Sequence, residues 1–222
     1  MKSSIFGYSS TGLPIPEFSF GRTGARVLIL GGVHGDEPEG VEASWGLIDL
    51  WSKAFHYELR VSVVPMFNID GVLRKNRLNA RGVDLNRNLP TNDWTSEWTN
   101  PRYNPGPNPL SEIENRHLIS WLEKSETAMI FSLHSWEPVL NVNGSCLREA
   151  QVISALTGYE IKDSIGYPTP GCLGTYCGLE RAIPTLTYEI ERGLATERIL
   201  TVHVPAIAEA LKMTEQSKRQ SL

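Results

Sequence analysis

The sequence predicts a single-domain α/β protein, a mixed and mostly parallel sheet with helices on both faces. Two observations carry this expectation. Short apolar runs rich in Val, Ile and Leu alternate with longer amphipathic stretches, as expected of strands joined by covering helices. The 222 residues, 41% hydrophobic and 21% charged, suffice for one sizeable core, since α/β folds of up to about 250 residues form as one unit.

The elements follow in chain order. Arg26 to Gly31 (RVLILG) is an uninterrupted apolar run and reads as the first strand. An amphipathic stretch from Gly40 to Lys53 gives the first helix, and Leu59 to Met66 (LRVSVVPM) the second strand. Between Pro90 and Leu110 the chain is polar and rich in Asn, Pro, Thr and Trp. It reads as a long irregular loop, and a structureless loop of about 20 residues in a small domain is usually functional. Ser111 followed by Glu114 has the capping-box spacing and opens a helix over Glu112 to Glu126. Ala128 to Leu133 (AMIFSL) and Ile183 to Glu189 (IPTLTYE) are the third and fourth strands, with helices at Arg148 to Thr157 and Thr196 to Met213. The folded domain is expected over residues 1–213, leaving 214–222 as a polar, frayed tail.

Composition excludes several functions. Twenty-one basic against twenty-five acidic residues give a net charge of −4, which offers no footprint for a phosphate backbone, so nucleic acid is not an expected partner. No apolar run approaches the roughly 18 residues of a membrane-spanning helix, and MKSSIFGYSSTGLPIP lacks the apolar core of a secretory signal. Three cysteines, Cys146, Cys172 and Cys177, are too few for a disulfide scaffold. A reduced, cytoplasmic setting is expected.

Chemistry-bearing residues cluster at strand ends. In open α/β sheets ligands bind beyond the carboxyl ends of strands, and GGVHGDEPEG follows the first strand directly, placing His34 and Glu37 on one turn. An imidazole and a carboxylate are ligands that hydrolytic zinc sites use, with three protein ligands and one open position. His134, at the end of the third strand in FSLHSW, supplies the third. His56, His117 and His203 fall on helices or their flanks and read as surface or packing residues. Downstream of the second strand, Arg74, Arg77, Arg81 and Arg87 lie within fourteen residues and alternate with asparagines. On spacing alone this is equally a solvated loop or a set of planar forks for a carboxylate. The last strand ends in Glu189 and Glu191, either of which could serve as a general base beside a metal. They share strand parity, so periodicity does not separate them.

Taken together, HGDE, RLN followed by GVDLNRN, SLHS and TYE, in this order, resemble the zinc carboxypeptidase family. The likeness runs from FGYSSTGLPI nearly to the end of the chain. The spellings NIDG, RLNARGVDLNRNLP and GYPTPGCLGTY resemble most the branch that cuts the γ-D-glutamyl–meso-diaminopimelate bond of the tripeptide L-Ala-γ-D-Glu-meso-diaminopimelate during cytoplasmic peptidoglycan recycling. The resemblance implies one Zn2+ ion held by His34, Glu37 and His134, with Glu189 rather than Glu191 as general base and acid. It implies that Arg77, or less favourably Arg74, polarises the scissile carbonyl, and that Asn86 and Arg87 clamp the free carboxyl end of a small peptide. Tyr167 would close over that end, and Asp84 would orient a zinc histidine. The 92–108 loop and the Gly171 to Tyr176 turn are expected to read the diaminopimelate side chain. Three departures stand out: Ile69 for a proline, Cys172 for a serine, and Glu191-Arg192 where this branch has an apolar residue and a proline. The rival expectations are a DL-carboxypeptidase trimming cell-wall stems, a deacylase of small N-acyl amino acids and a non-catalytic binding module.

Overall fold

The computed structural model describes residues 1–219; residues 220–222 lie outside the described residues. Eight strands form one mixed sheet: β1 (Lys2–Tyr8), β2 (Pro14–Phe20), β3 (Ala25–Gly31), β4 (Leu59–Val64), β5 (Thr127–Trp136), β6 (Val139–Asn143), β7 (Glu160–Lys162) and β8 (Thr185–Glu191). They lie in the order β1-β2-β4-β3-β5-β8-β6-β7. The centre, β4-β3-β5-β8, is parallel throughout; β1 pairs antiparallel with β2, β2 with β4 and β6 with β8, while the edge strand β7 runs parallel to β6.

These four central strands are the four the sequence announces. Each is covered on both faces, so each must be apolar almost without interruption. In β3 the last five residues are all buried. The other four strands lie outside this group, and KSSIFGY and EIK are largely exposed. They have no apolar run to announce them.

Helices cover both faces. On one, α1 (Pro38–Lys53) and α4 (Leu147–Thr157) bury Ala43, Leu47, Trp51 and Ile153 against the sheet together with the C-terminal helix. On the other, α3 (Ile113–Glu123) contributes Leu118 and Leu122 to a second cluster with Phe67, Leu85 and Leu89. Between β4 and the long loop lies α2 (Ile69–Arg74), a short helix that the sequence does not announce.

Three expectations need correction. Thr196 to Met213 is not one helix: a single turn, α5 (Thr196–Arg198), passes into a widened π-type stretch (Ile199–His203) before α6 (Val204–Arg219). Pro205 explains the break, since it has no N–H to bond back to Thr201. Nor does the chain fray at Thr214. That residue is buried, and its hydroxyl donates to Glu149 Oε1 on α4 at 2.9 Å, carrying α6 on to Arg219. Finally, Ser111 does not cap α3. Its hydroxyl donates to Glu112 and accepts from Asn88, while Glu114 accepts from the backbone of Ser10.

The 90–110 segment is irregular apart from one 3₁₀ turn at Pro101–Tyr103. Asn88 anchors it, donating to the carbonyls of Pro105 and Asn108 at 2.7 and 2.9 Å. The loop is thereby folded over the ends of the central strands.

Candidate active site

Beyond β3 the chain turns through Gly35 to reach α1. A Cβ at Gly35 would lie 1.9 Å from the carbonyl carbon of Gly71, so only glycine allows α2 to pack this close. Glu37 is the N-cap of α1, with Pro38 at the first helical position. His134 sits near the end of β5, and the parallel register sets Glu189 of β8 directly beside it. Two adjacent strand ends and one helix start thus deliver His34, Glu37, His134 and Glu189 to one point, all four buried.

Each imidazole turns its Nδ1 inward. His34 Nε2 lies 3.1 Å from Asp84 Oδ1, a carboxylate oxygen that accepts from it, and this leaves Nδ1 facing the trio. That Nδ1 lies 3.1 Å from His134 Nδ1 and 2.9 Å from Glu37 Oε1, while Glu37 Oε2 lies 2.9 Å from His134 Nδ1. Two imidazole nitrogens and a carboxylate drawn this close form a set that a shared proton or a cation can bridge. A zinc ion bonded at about 2.0–2.1 Å in tetrahedral geometry sets its ligand atoms about 3.3 Å apart, which these spacings approach. His34, Glu37 and His134 are also the one such group among the described residues. Asp84 behind His34, and the Ser132 hydroxyl 3.0 Å from His134 Nε2, are contacts of the kind that orient imidazoles at metal sites.

Charge is tuned accordingly. Burial pushes the Glu37 carboxyl up, but His34 and His134 prevail and hold it well below the ordinary range. Burial and Arg77 push His34 down, yet Glu37 and Asp84 prevail and raise it. For Glu189, burial dominates and lifts the carboxyl to about 7.

The trio opens into a cleft of ≈ 300 Å³. Glu189 lines it, whereas Glu191, the last residue of β8, is exposed and lies outside the lining, so the structure separates the two acids that periodicity left equal. It likewise separates the arginines. Arg77 is buried in the wall, with Nε and Nη2 on Asp84 Oδ2 at 3.0 and 2.9 Å and Nη1 on Glu37 Oε1 at 3.2 Å, while Arg74 is exposed on α2. Asn86 and Arg87 enter the cleft through a 3₁₀ turn that Asp84 caps. Asn86 Oδ1 accepts from the Leu173 backbone, and Arg87 lies over the Tyr103 ring. Gly171, at φ +73°, makes this crossing possible: a Cβ there would lie 2.2 Å from the Arg87 carbonyl oxygen. Tyr167 stands at the mouth between Tyr103 and Trp136.

Of the segments expected to read the substrate side chain, Arg102 and Tyr103 from the long loop and Cys172 and Gly174 from the turn reach the cleft. Tyr176 does not; it is buried beneath Arg181. Asn141 and Asn143 on β6, Thr187 on β8 and Arg192 also line the wall, and the sequence reading gives none of them a role. Only the placement of β6 next to β8 could reveal the first three.

Comparison with known proteins agrees with this geometry. A murein peptide amidase A from Vibrio campbellii is 31% identical over 200 residues, spanning 83% of this chain and 77% of the relative. One from Escherichia coli is 30% identical over 166 residues, and the chain spans only 65% of that relative's length. The crystal structure of murein-tripeptide amidase MpaA from Escherichia coli O157 superposes with a TM-score of 0.81 over 96% of this chain and 92% of the other; at 24% identity this speaks to the fold. Residues 2–146, which include the His34, Glu37 and His134 trio, match the family model described as zinc carboxypeptidase. The chain belongs to the zinc carboxypeptidase family and is a hydrolase by that membership.

Proposed function

We propose that this chain is a zinc-dependent amidase that hydrolyses the γ-D-glutamyl–meso-diaminopimelate bond of the murein tripeptide in cytoplasmic peptidoglycan recycling. The convergence of His34, Glu37 and His134 beside Glu189 in one cleft carries the hydrolytic reading. The substrate follows from the relatives named murein peptide amidase A.

In this reading His34, Glu37 and His134 hold one zinc ion, which when bound supplies Lewis acidity to a carbonyl and to a water. Glu189 takes the proton of the attacking water and returns it to the departing amine. Burial lifts this carboxyl above the ordinary range in the metal-free protein, the direction a base that later acts as an acid requires. Arg77 faces the carbonyl oxygen as negative charge grows there; its guanidinium is held on Asp84, so little reorganisation accompanies the reaction. Asn86 and Arg87 bind the free carboxylate, and Tyr167 covers it. Asn141, Asn143 and Thr187 give the cleft an uncharged wall of donors and acceptors. Such a wall suits the far end of diaminopimelate, whose ammonium and carboxylate must both find partners.

The test is mass spectrometry of L-Ala-γ-D-Glu-meso-diaminopimelate after incubation with zinc-loaded protein, with Glu189→Gln as control. Free diaminopimelate from the wild type alone is the expected result. An intact tripeptide discards the murein assignment, and longer cell-wall stems and N-acyl amino acids then become the substrates to examine.

A further inference from the structure

The reaction as proposed leaves two cations of the cleft without work, Arg102, which is paired with Asp36 at 2.6 Å, and Arg192. Arg192 lies three residues past Glu189, in the turn that ends β8, and lines the same cavity. Its backbone is fixed on both sides: its N–H donates to the Trp136 carbonyl at 3.0 Å, and the next N–H, of Gly193, donates to buried Glu39 at 2.6 Å. Its side chain is fixed as well. Nη1 donates to the carbonyl of Asp36 and Nη2 to that of Ser135, each at 2.9 Å. Asp36 precedes one member of the trio and Ser135 follows another, so the guanidinium is tied to the rim of the metal-ligand group.

Those two bonds go to neutral carbonyls and use two of the five N–H donors of an arginine. The acids nearby are otherwise engaged. Glu37 Oε1, 3.5 Å from Nη2, is shared with Arg77 and His34. Asp36 Oδ2, 3.8 Å from Nη1, lies 2.6 Å from Arg102. Arg192 therefore presents a preorganised, half-exposed cation with donors to spare.

Its position decides what it can meet. Asn86 and Arg87 belong to the segment that follows β4, and Arg192 to the turn that follows β8; the trio, carried by β3 and β5, lies between these strands in the sheet. A peptide anchored by its free carboxylate on Asn86 and Arg87, with its scissile carbonyl at the trio, sends its acyl half toward the wall of Trp136 and Arg192. We propose that Arg192 is a specificity-determining residue that pairs with a carboxylate on the acyl half of the substrate, next to the bond that is cut. A γ-linked glutamyl group carries its free α-carboxylate there, whereas an ordinary α-linked peptide offers only neutral backbone. This inference rests on the amidase reading above and explains how the cleft would distinguish γ-linked from α-linked substrates.

The test compares two tripeptides, L-Ala-γ-D-Glu-meso-diaminopimelate and its analogue with the glutamyl α-carboxylate converted to a carboxamide, on wild type, Arg192→Gln and Arg192→Lys. Wild type is expected to favour the carboxylate in kcat/KM by about tenfold to a hundredfold, the range of a hydrogen bond to a charged group. Arg192→Gln should erase that preference by slowing only the carboxylate substrate, and Arg192→Lys should keep part of it. No preference in the wild type overturns the proposal. So does an equal loss on both substrates in Arg192→Gln, which would make the side chain a prop for the Asp36 and Ser135 carbonyls. Cleavage of neither tripeptide by the wild type overturns the amidase reading and this inference with it.

Discussion

Tyr188 and Glu189 are consecutive on β8, both are buried, and the strand turns them to opposite faces. Tyr188 points into the layer under α4 and α6, where its hydroxyl meets His203 Nδ1. Glu189 points into the cleft beside His134. Behind the sheet, burial acts with little charge to oppose it, and His203 is pushed down to about 4. In front, two imidazoles, Glu37, Asp84 and Arg77 interlock, and burial strengthens their coupling. Burial alone makes a histidine neutral and inert, while burial among charges of both signs holds an array that a cation would complete. The front layer gives up packing for that array, as functional sites commonly do.

The sharpest way to break this contrast is to exchange one histidine on each face. His134→Ala should lower bound zinc from one equivalent toward zero, by elemental analysis, with activity following. His203→Gln should leave both untouched. Equal zinc content in the two variants would mean that the front trio is a structural network and not a metal site.

A smaller effect tests the divided roles of Glu37 and Glu189. Glu189→Gln is isosteric and outside the trio, so zinc content should stay at the wild-type level while kcat falls by about 10²- to 10⁴-fold. Metal loss in that variant would make Glu189 a ligand rather than a base. Next comes the pair of buried arginines. Arg77→Ala should lower kcat by about 10²- to 10³-fold, the usual result of losing one preorganised donor, and Arg87→Ala should act chiefly on KM. Steady-state kinetics showing the reverse pattern would exchange the two assignments.

How far the sequence foretells all this depends on which face a residue occupies and how near the sheet centre it lies. The four inner strands are legible because double-sided burial demands continuous apolar runs. The trio is legible because its members follow or end those strands, in short motifs with a chemical reason for their spacing. Asn141, Asn143 and Thr187 were not, since each is an ordinary polar residue on a strand until β6 is known to lie beside β8. Periodicity and spacing leave Glu189 level with Glu191 and Arg77 with Arg74, and in the sequence only the family resemblance separates them; the physical reason lies in the register with His134 and in the end of α2. The Ser111 capping box failed for a similar reason: Asn88, twenty-three residues earlier, captures the hydroxyl. Such contacts are long-range and carry no local signal.

The smallest expected effect concerns the back layer and is thermodynamic. His203 titrates near 4 in the folded protein and near 6.5 in an unfolded chain. Above about pH 6.5 it is neutral in both states, and the stability linked to its burial is fully present. As pH falls from there toward 4 the unfolded chain takes up a proton that the folded protein refuses, so stability declines; below about 4 both states are protonated and the contribution is gone. At pH 5 the linked loss is about 2 kcal/mol. Urea unfolding of metal-free protein at pH 7 and pH 5 should therefore show wild type losing about 2 kcal/mol more than His203→Gln over that interval. The metal-free form keeps zinc release by the front histidines out of the comparison, since their protonation is common to both proteins. Parallel losses in the two would mean that water reaches His203 beneath α6, and the two layers would then differ in their charges but not in their dryness.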